Sequence, residues 1–430
     1  MSEHQIFAKC AWRLMPLVVL AYVVNYLDRT NVGFAALTMN KDLGFTPETF
    51  GFGAGVFFVG YLLFQVPANF VLSRVGARIW ISLILAAWGA VSASTAFVQG
   101  PMAFASMRFL LGVAEAGFFP GMMFYLTLWF PKAYRAQLSA FFIVAQPLAF
   151  IVGGPLSTRI LGMNGIAGFH GWQWLFLIEG IPAIVIAVCA LQWLPDGPER
   201  AEWLDADEKR TISARLGGEA QAGKPETLLT AMLDHRVWLI AVPIFAAGSA
   251  QYGVALWLPQ IVSAMGYSNS ATGLVVALTY FAAMIAIVAV AFSSDRQGER
   301  LWHVVVCWSI AAAGFIGASV SPSDSGVLIG LTLANAAILA NIAPLYALPT
   351  GFLTGQACAG AIALMNVFAS LGGFVAPILI GVLRTQSGNY KTAMASLAIG
   401  LVLAVLILLA FRLAMARHLA LSHSKMGSAA

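Results

Sequence analysis

Five ionisable side chains lie inside long apolar stretches of this 430-residue chain, where charged residues are otherwise rare. They are Asp28, Arg29, Arg108, Glu115 and Glu179. If such a stretch crosses a bilayer, a charge near its centre costs roughly 2.5–3.5 kcal/mol on insertion scales. Residues kept at that cost either perform a function or pair with one another. Glu179 lies within about two turns of the end of its stretch. We expect it to be a structural residue at the membrane interface, with a functional role as the alternative.

The residue types of the other four suit the handling of an organic anion and a proton. Guanidinium groups stay charged and bind carboxylates through two parallel hydrogen bonds. Carboxyl groups that are removed from water favour their neutral, protonated form. A set of both types lets a proton and an organic anion compete for the same positive partners, which couples their movements. The alternative is that static ion pairs hold the helices together.

The spacing of these residues predicts which way they point. Arg108 and Glu115 are seven residues apart and share one helix face. Asp28 and Arg29 are adjacent, so they cannot pair along one helix and must find partners on other helices. A polar stripe with helical spacing accompanies Arg29 and comprises Tyr22, Asn25 and Tyr26.

Composition identifies the elements that carry these residues. The chain is 60% hydrophobic and only 10% charged, whereas soluble domains have about 25% charged residues. Since a bilayer span needs about 20 apolar residues, we predict spans near residues 14–37, 50–72, 79–98, 102–126, 137–160, 173–194, 237–260, 270–293, 302–320, 326–348, 356–383 and 392–415. The prediction is an all-α integral membrane protein of twelve transmembrane helices. Its N-terminal six-helix bundle is residues 1–194, its cytoplasmic linker loop 195–235 and its C-terminal bundle 236–430.

Basic residues predict the orientation. Most of the 23 Lys and Arg residues fall in alternate loops, which places both termini in the cytoplasm by the positive-inside rule. The net charge of +5 therefore reflects orientation signals, and we expect no nucleic-acid partner. Residues 73–78 and 295–300 share the pattern R-x-G-x-R at equivalent places in the two halves, which indicates parallel repeats. We expect the loop 195–235 to be a solvated linker with a short surface helix, or alternatively a regulatory segment.

Neutral polar residues add candidates for substrate contact. These are Tyr26, Tyr61 and Gln146 in the first half and Tyr252, Asn335 and Asn366 in the second. Such side chains can bind hydroxyls without the cost of a buried charge, although interhelical hydrogen bonds are the alternative. Gln146 precedes Pro147, where we expect a local break. Glycine and proline are expected to break span 5 at residues 153–155 and span 11 at residues 372–377.

The motifs in spans 1 and 4 resemble those of the major facilitator superfamily, and within it the anion:cation symporter family. The most specific segments are residues 25–31 (NYLDRTN) and 108–120 (RFLLGVAEAGFFP), supported by 174–182 (WLFLIEGIP), 196–200 and 366–381. The loop after span 2 departs from the usual pattern, with Asn69, Ser73 and Ala77 where Gly, Asp and Arg are common. We expect this departure to change how firmly the transporter closes on its cytoplasmic side.

The resemblance implies import of small organic anions with protons by alternating access. Substrates in that family include aromatic acids, sugar acids and small di- or tricarboxylates. It assigns proton coupling to Asp28 and Glu115, anion binding to Arg29 and Arg108, and substrate contact to Gln146 and Asn366. It also implies a monomer in a bacterial inner membrane.

Two other classes were weighed against this one. A proton-driven exporter of organic anions or lipophilic compounds on the same fold is the alternative function. An enzyme has little support, because the sequence has no metal cluster, nucleophile–base set or phosphate-binding loop. We therefore expect no cofactor, with protons as the coupling ion and a small carboxylate and the lipid bilayer as partners.

Overall fold

The computed structural model describes residues 2–220, 232–353 and 355–427. Within these ranges twelve helices are long and apolar enough to cross a membrane, and no strand occurs. Helices satisfy every backbone hydrogen bond inside one segment, which hydrocarbon requires. The predicted all-α membrane fold of twelve spans is confirmed, and the chain is a multi-pass membrane protein. The predicted placement of the termini in the cytoplasm stays a prediction.

The observed helices extend most of the predicted spans by several residues. Spans 1 to 6 are Glu3–Asp42, Pro47–Val75, Ala77–Ser94, the pair Pro101–Glu115 and Phe118–Trp129, Lys132–Leu161, and Gly171–Trp193. Spans 7 to 12 are His235–Ala264, Asn269–Gln297, Leu301–Val320, the pair Asp324–Ala340 and Ile342–Ala347, Gly355–Ser387, and Lys391–Gly427. Span 1 begins at Glu3 rather than near residue 14 because Ser2 and Gln5 cap its first turn reciprocally.

Span 4 is interrupted directly after Glu115. Its first helix ends there, the N–H of Ala116 bonds to the carbonyl of Val113, and the second helix begins after Gly117. The expected breaks in spans 5 and 11 are wrong. Both helices continue through their prolines, including the segment at Gln146 and Pro147. A proline removes only one donor, and its neighbours in a packed bundle can compensate locally.

The described residues form two compact units. Unit 1 comprises those in Met1–Gly223 and Ala255–Phe281, and unit 2 those in Lys224–Val254 and Ala282–Ala430. Within unit 1 the ring of Phe150 stacks on Tyr280 with centroids 3.7 Å apart. Residues 255–281 thus pack with spans 1 to 6, although they follow the linker in the chain. The predicted boundaries at 194 and 236 describe chain order and stay a prediction.

Glycine residues allow the backbones of neighbouring spans in unit 1 to come into direct contact. A Cβ on Gly112 in span 4 would collide with the carbonyl oxygen of Phe57 in span 2, and a Cβ on Gly60 with that of Phe109. The two backbones therefore touch directly, as small residues allow in membranes. Span 2 consequently lies close to the length of span 4 that carries Arg108 and Glu115.

The first part of the linker packs on unit 1 through one face. Residues 195–220 belong to unit 1, and Leu204 and Ile212 are buried there. Glu208 is buried too and accepts two hydrogen bonds from Lys9 Nζ, at 2.9 and 2.8 Å. The expected solvated linker therefore applies to only one face of this part, because most of its other residues are exposed or partly exposed while its apolar residues pack on unit 1. The predicted surface helix is present at Ala206–Ala220, while residues 221–231 lie outside the described ranges.

Candidate functional site

Glu115 is the centre of a buried polar cluster between spans 1 and 4. Its side chain is fully buried, and its Oε2 atom accepts a hydrogen bond of 2.7 Å from Arg29 Nε and one of 2.8 Å from Asn25 Nδ2. Asn25 and Arg29 are four residues apart and share one face of span 1. The Oε1 atom has no hydrogen-bond partner among the described residues. One oxygen thus holds Arg29 while the other stays available to a proton.

Aromatic rings surround the guanidinium of Arg29. Its Cζ atom lies 5.8 Å from the ring centroid of Tyr26, 5.3 Å from Phe57 and 5.1 Å from Tyr61. Ring faces attract cations, and more strongly where water is excluded. The candidates Tyr26 and Tyr61 therefore lie beside Arg29. Phe57 was not among the predicted residues, although its position one turn before Tyr61 would have indicated it.

Arg108 lies against the same aromatic ring but forms no ion pair within the described part of the chain. Its Cζ atom lies 5.0 Å from the centroid of Phe57, and its side chain is 3% exposed. The Nε and Nη1 groups have no hydrogen-bond partner among the described residues. Of the two expectations for the deep charges, ion pairing or exposure to a wet cavity, Arg108 does not meet the first within the described residues. The close approach of spans 2 and 4 places Phe57 beside Arg108, so an aromatic ring rather than a carboxylate contacts its guanidinium.

Asp28 points away from this cluster, toward span 3. Its Oδ1 atom accepts hydrogen bonds from Asn31 Nδ2 at 3.0 Å and from the hydroxyl of Ser92. Its Oδ2 atom has no partner among the described residues. The prediction that Asp28 and Arg29 have partners in different directions is confirmed. The hydrogen-bond partners of Asp28 in the described ranges are neutral side chains. Ser92 was missed because a single serine in an apolar span carries no distinguishing pattern.

Glu179 is buried within unit 1, and its predicted position near the membrane interface stays a prediction. It is 3% exposed, and the hydroxyl of Ser157 in span 5 donates a hydrogen bond of 2.7 Å to its Oε1 atom. Gln146 is also buried in unit 1. Spans 1, 3 and 5 pack against span 6 and account for the burial of Glu179.

The remaining candidates lie in unit 2. Asn366 Oδ1 accepts a hydrogen bond of 2.8 Å from the hydroxyl of Tyr346. Asn335 is buried, and its Nδ2 group has no partner among the described residues, while Tyr252 is partly buried. Their role in substrate contact stays a prediction.

Comparisons with known proteins agree with this architecture. Residues 18–350 match the family model described as Major Facilitator Superfamily. A relative from Agrobacterium vitis assigned to tartrate transport is 45% identical over 90% of both chains. A quinolone resistance transporter of Acinetobacter baumannii is 37% identical over 92% of both chains. The crystal structure of a bacterial homologue of the lysosomal transporter Spinster, in an inward-facing and unoccupied conformation, shares the fold at a TM-score of 0.78. It has 17% identity and covers 93% of this chain and 96% of that one. The chain therefore belongs to the Major Facilitator Superfamily and is a membrane transporter rather than an enzyme.

Proposed function

We propose that the chain imports a small organic anion together with protons by alternating access. The observation that carries this proposal is that one oxygen of Glu115 binds Arg29, while Nε and Nη1 of nearby Arg108 have no hydrogen-bond partner among the described residues. The binding of the proton and the binding of the anion then both act on the same ion pair, that of Arg29 and Glu115. The relative assigned to tartrate transport supports a carboxylate as the substrate.

Substrate binding begins at Arg108 in this proposal. A buried guanidinium with unpaired donors is costly, and a carboxylate would satisfy it with two charge-assisted hydrogen bonds. Both guanidiniums lie within 5.3 Å of the centroid of Phe57. This arrangement suits a compact acid with two anionic groups, such as a hydroxylated dicarboxylate. Aromatic and sugar acids remain the other substrate classes to screen.

Protonation of Glu115 supplies the coupling. A neutral carboxylic acid is a weaker partner for a cation, so a proton on Glu115 releases Arg29 for the substrate carboxylate. The proton and the anionic group together leave the charge of the site unchanged. When the proton leaves on the other side of the membrane, the 2.7 Å ion pair re-forms and competes with the anion for Arg29. Asp28 is proposed to bind a second proton.

The test is uptake of labelled tartrate into proteoliposomes under an inward proton gradient. Replacement of Glu115 by Gln mimics the protonated state permanently. The variant should therefore lose gradient-driven accumulation but retain exchange of labelled for unlabelled substrate at equal pH. Glu48→Gln, at an exposed glutamate, is the matched control. A Glu115→Gln variant that still concentrates substrate on a pH gradient would refute the assignment of Glu115.

Export is the second candidate, and the relative named for quinolone resistance favours it. The two functions differ in the effect of one gradient. In right-side-out vesicles with an acidic exterior, an importer accumulates the substrate, whereas a proton-driven exporter depletes it. Accumulation that a protonophore abolishes would support import, and depletion under the same gradient would support export.

A further inference from the structure

Glu179 is a buried carboxyl group that the proposed coupling of Arg29 and Glu115 does not use. Its Oε1 atom accepts the hydroxyl of Ser157, and its Oε2 atom has no partner among the described residues. Asp28 has the same arrangement, because its Oδ1 atom accepts the hydroxyl of Ser92 and its Oδ2 atom is without a partner in the described ranges. Each carboxyl group thus keeps one oxygen that can carry a proton.

Among the described residues, no cation forms an ion pair or hydrogen bond with Glu179. Span 6 packs against spans 1, 3 and 5. Span 1 contributes Asp28, whose charge acts on Glu179, and span 3 has no ionisable residue between Ile79 and Phe97. In span 5 the nearest basic residue along the helix is Arg159, which is exposed. Arg108 attracts Asp28 through space, whereas Glu179 has no such cation in the described ranges. A carboxyl group without a cation in a low-dielectric interior is more stable with a proton than charged.

Glu179 lies between Asp28 and one face of the membrane. Span 1 ends and span 6 begins on the same face, since Trp172 Nε1 donates to Asp42 Oδ2 at 3.1 Å and His170 Nδ1 lies 3.1 Å from the same oxygen. At 1.5 Å per residue, Glu179 is about 12 Å from the start of its helix and Asp28 about 21 Å from the end of its own. By the predicted orientation this face is the outer one.

We propose that Glu179 is a third proton-binding group, through which protons reach Asp28 from the face that bears Asp42 and His170. The O–H bond at Glu179 Oε2 breaks as its proton passes to a water molecule, and that water in turn gives a proton to Asp28 Oδ2, where a new O–H bond forms. The Glu179 carboxylate then takes its next proton from water that enters from that face. The hydroxyl of Ser157 holds the carboxyl group in place during both steps. This inference rests on the proposed proton coupling.

The experiment compares Glu179→Gln, Glu179→Asp and Ser157→Ala with the wild type in the proteoliposome assay. Glu179→Gln cannot release a proton, so gradient-driven uptake of tartrate should fall by about tenfold or more, while exchange at equal pH is retained. Glu179→Asp keeps a carboxyl group and should restore part of the gradient-driven rate. Ser157→Ala should give an intermediate rate. Infrared difference spectra of the wild type should contain a carboxylic-acid band that Glu179→Gln lacks.

Three results would overturn the inference. Gradient-driven uptake at the wild-type rate in Glu179→Gln would show that protons do not pass through this group. An equal loss of exchange and of gradient-driven uptake in both Glu179 variants would indicate a structural role. The absence of an infrared band specific to Glu179 would show that the group does not hold a proton, and this measurement does not require transport. If the wild type itself exchanges substrate but ignores the proton gradient, the proposed coupling fails as well. Failure of the Glu179 variants alone to change coupling refutes only the present inference.

Discussion

Buried Arg108 and partly buried Arg29 should differ in their effect on stability when each is replaced by methionine. Arg29 forms the 2.7 Å ion pair with Glu115, whose side chain is fully buried. Its removal leaves an unpaired buried carboxylate, which costs about 3–5 kcal/mol. Arg108 has two unpaired N–H groups among the described residues, and each such group costs about 1–3 kcal/mol. Its contact with Phe57 returns about 0.5–2 kcal/mol.

Through-space attraction to Asp28 and Glu115 further offsets the cost of Arg108. We therefore expect Arg108→Met either to lower the free energy of unfolding by no more than about 1 kcal/mol or to raise it. Arg29→Met should destabilise it by about 3–5 kcal/mol. Both variants should lose stabilisation by tartrate, which for the wild type would reach about 2.7 kcal/mol at a hundred times the dissociation constant.

Thermal unfolding in detergent, with and without tartrate, measures both effects in one assay. Exposed Arg74→Met is the control for loss of a basic residue outside the cluster. If Arg108→Met destabilises the protein as much as Arg29→Met, Arg108 has a strong partner and the prediction is wrong. If Arg108→Met retains the full response to tartrate, the unpaired donors of Arg108 do not bind the anion.

Two further predictions concern packing. Gly112→Ala places a Cβ against the carbonyl of Phe57 and should destabilise the protein by about 1–3 kcal/mol and slow transport, because Phe57 must move. Gly317→Ala, with open space around the new Cβ, is the control in thermal unfolding, and equal melting temperatures would contradict the prediction. Glu208→Ala removes the buried partner of Lys9 and should increase hydrogen exchange in residues 195–220 without changing tartrate binding. Unchanged exchange there would show that the ion pair does not hold the linker.

Hydropathy and residue spacing were sufficient for much of this protein. The number of spans follows from runs of about 20 apolar residues, which are local in sequence. The prediction that Asp28 and Arg29 have partners in different directions also needed only local sequence, because adjacent residues on a helix point apart. The polar stripe of span 1 contained Asn25 and Tyr26, which lie beside Glu115 and Arg29 in the structure. These conclusions need only the geometry of one helix.

Tertiary structure decided which charges pair. The contact of spans 2 and 4 at Gly60 and Gly112 places Phe57 beside both arginines and leaves Arg108 without an ion pair in the described ranges. The burial of Glu179 depends on spans 1, 3 and 5 around it. The sequence determined which charges enter the membrane, because hydrophobicity is a property of each segment alone. Their partners depend on which backbones approach most closely, and that is a property of the packed bundle.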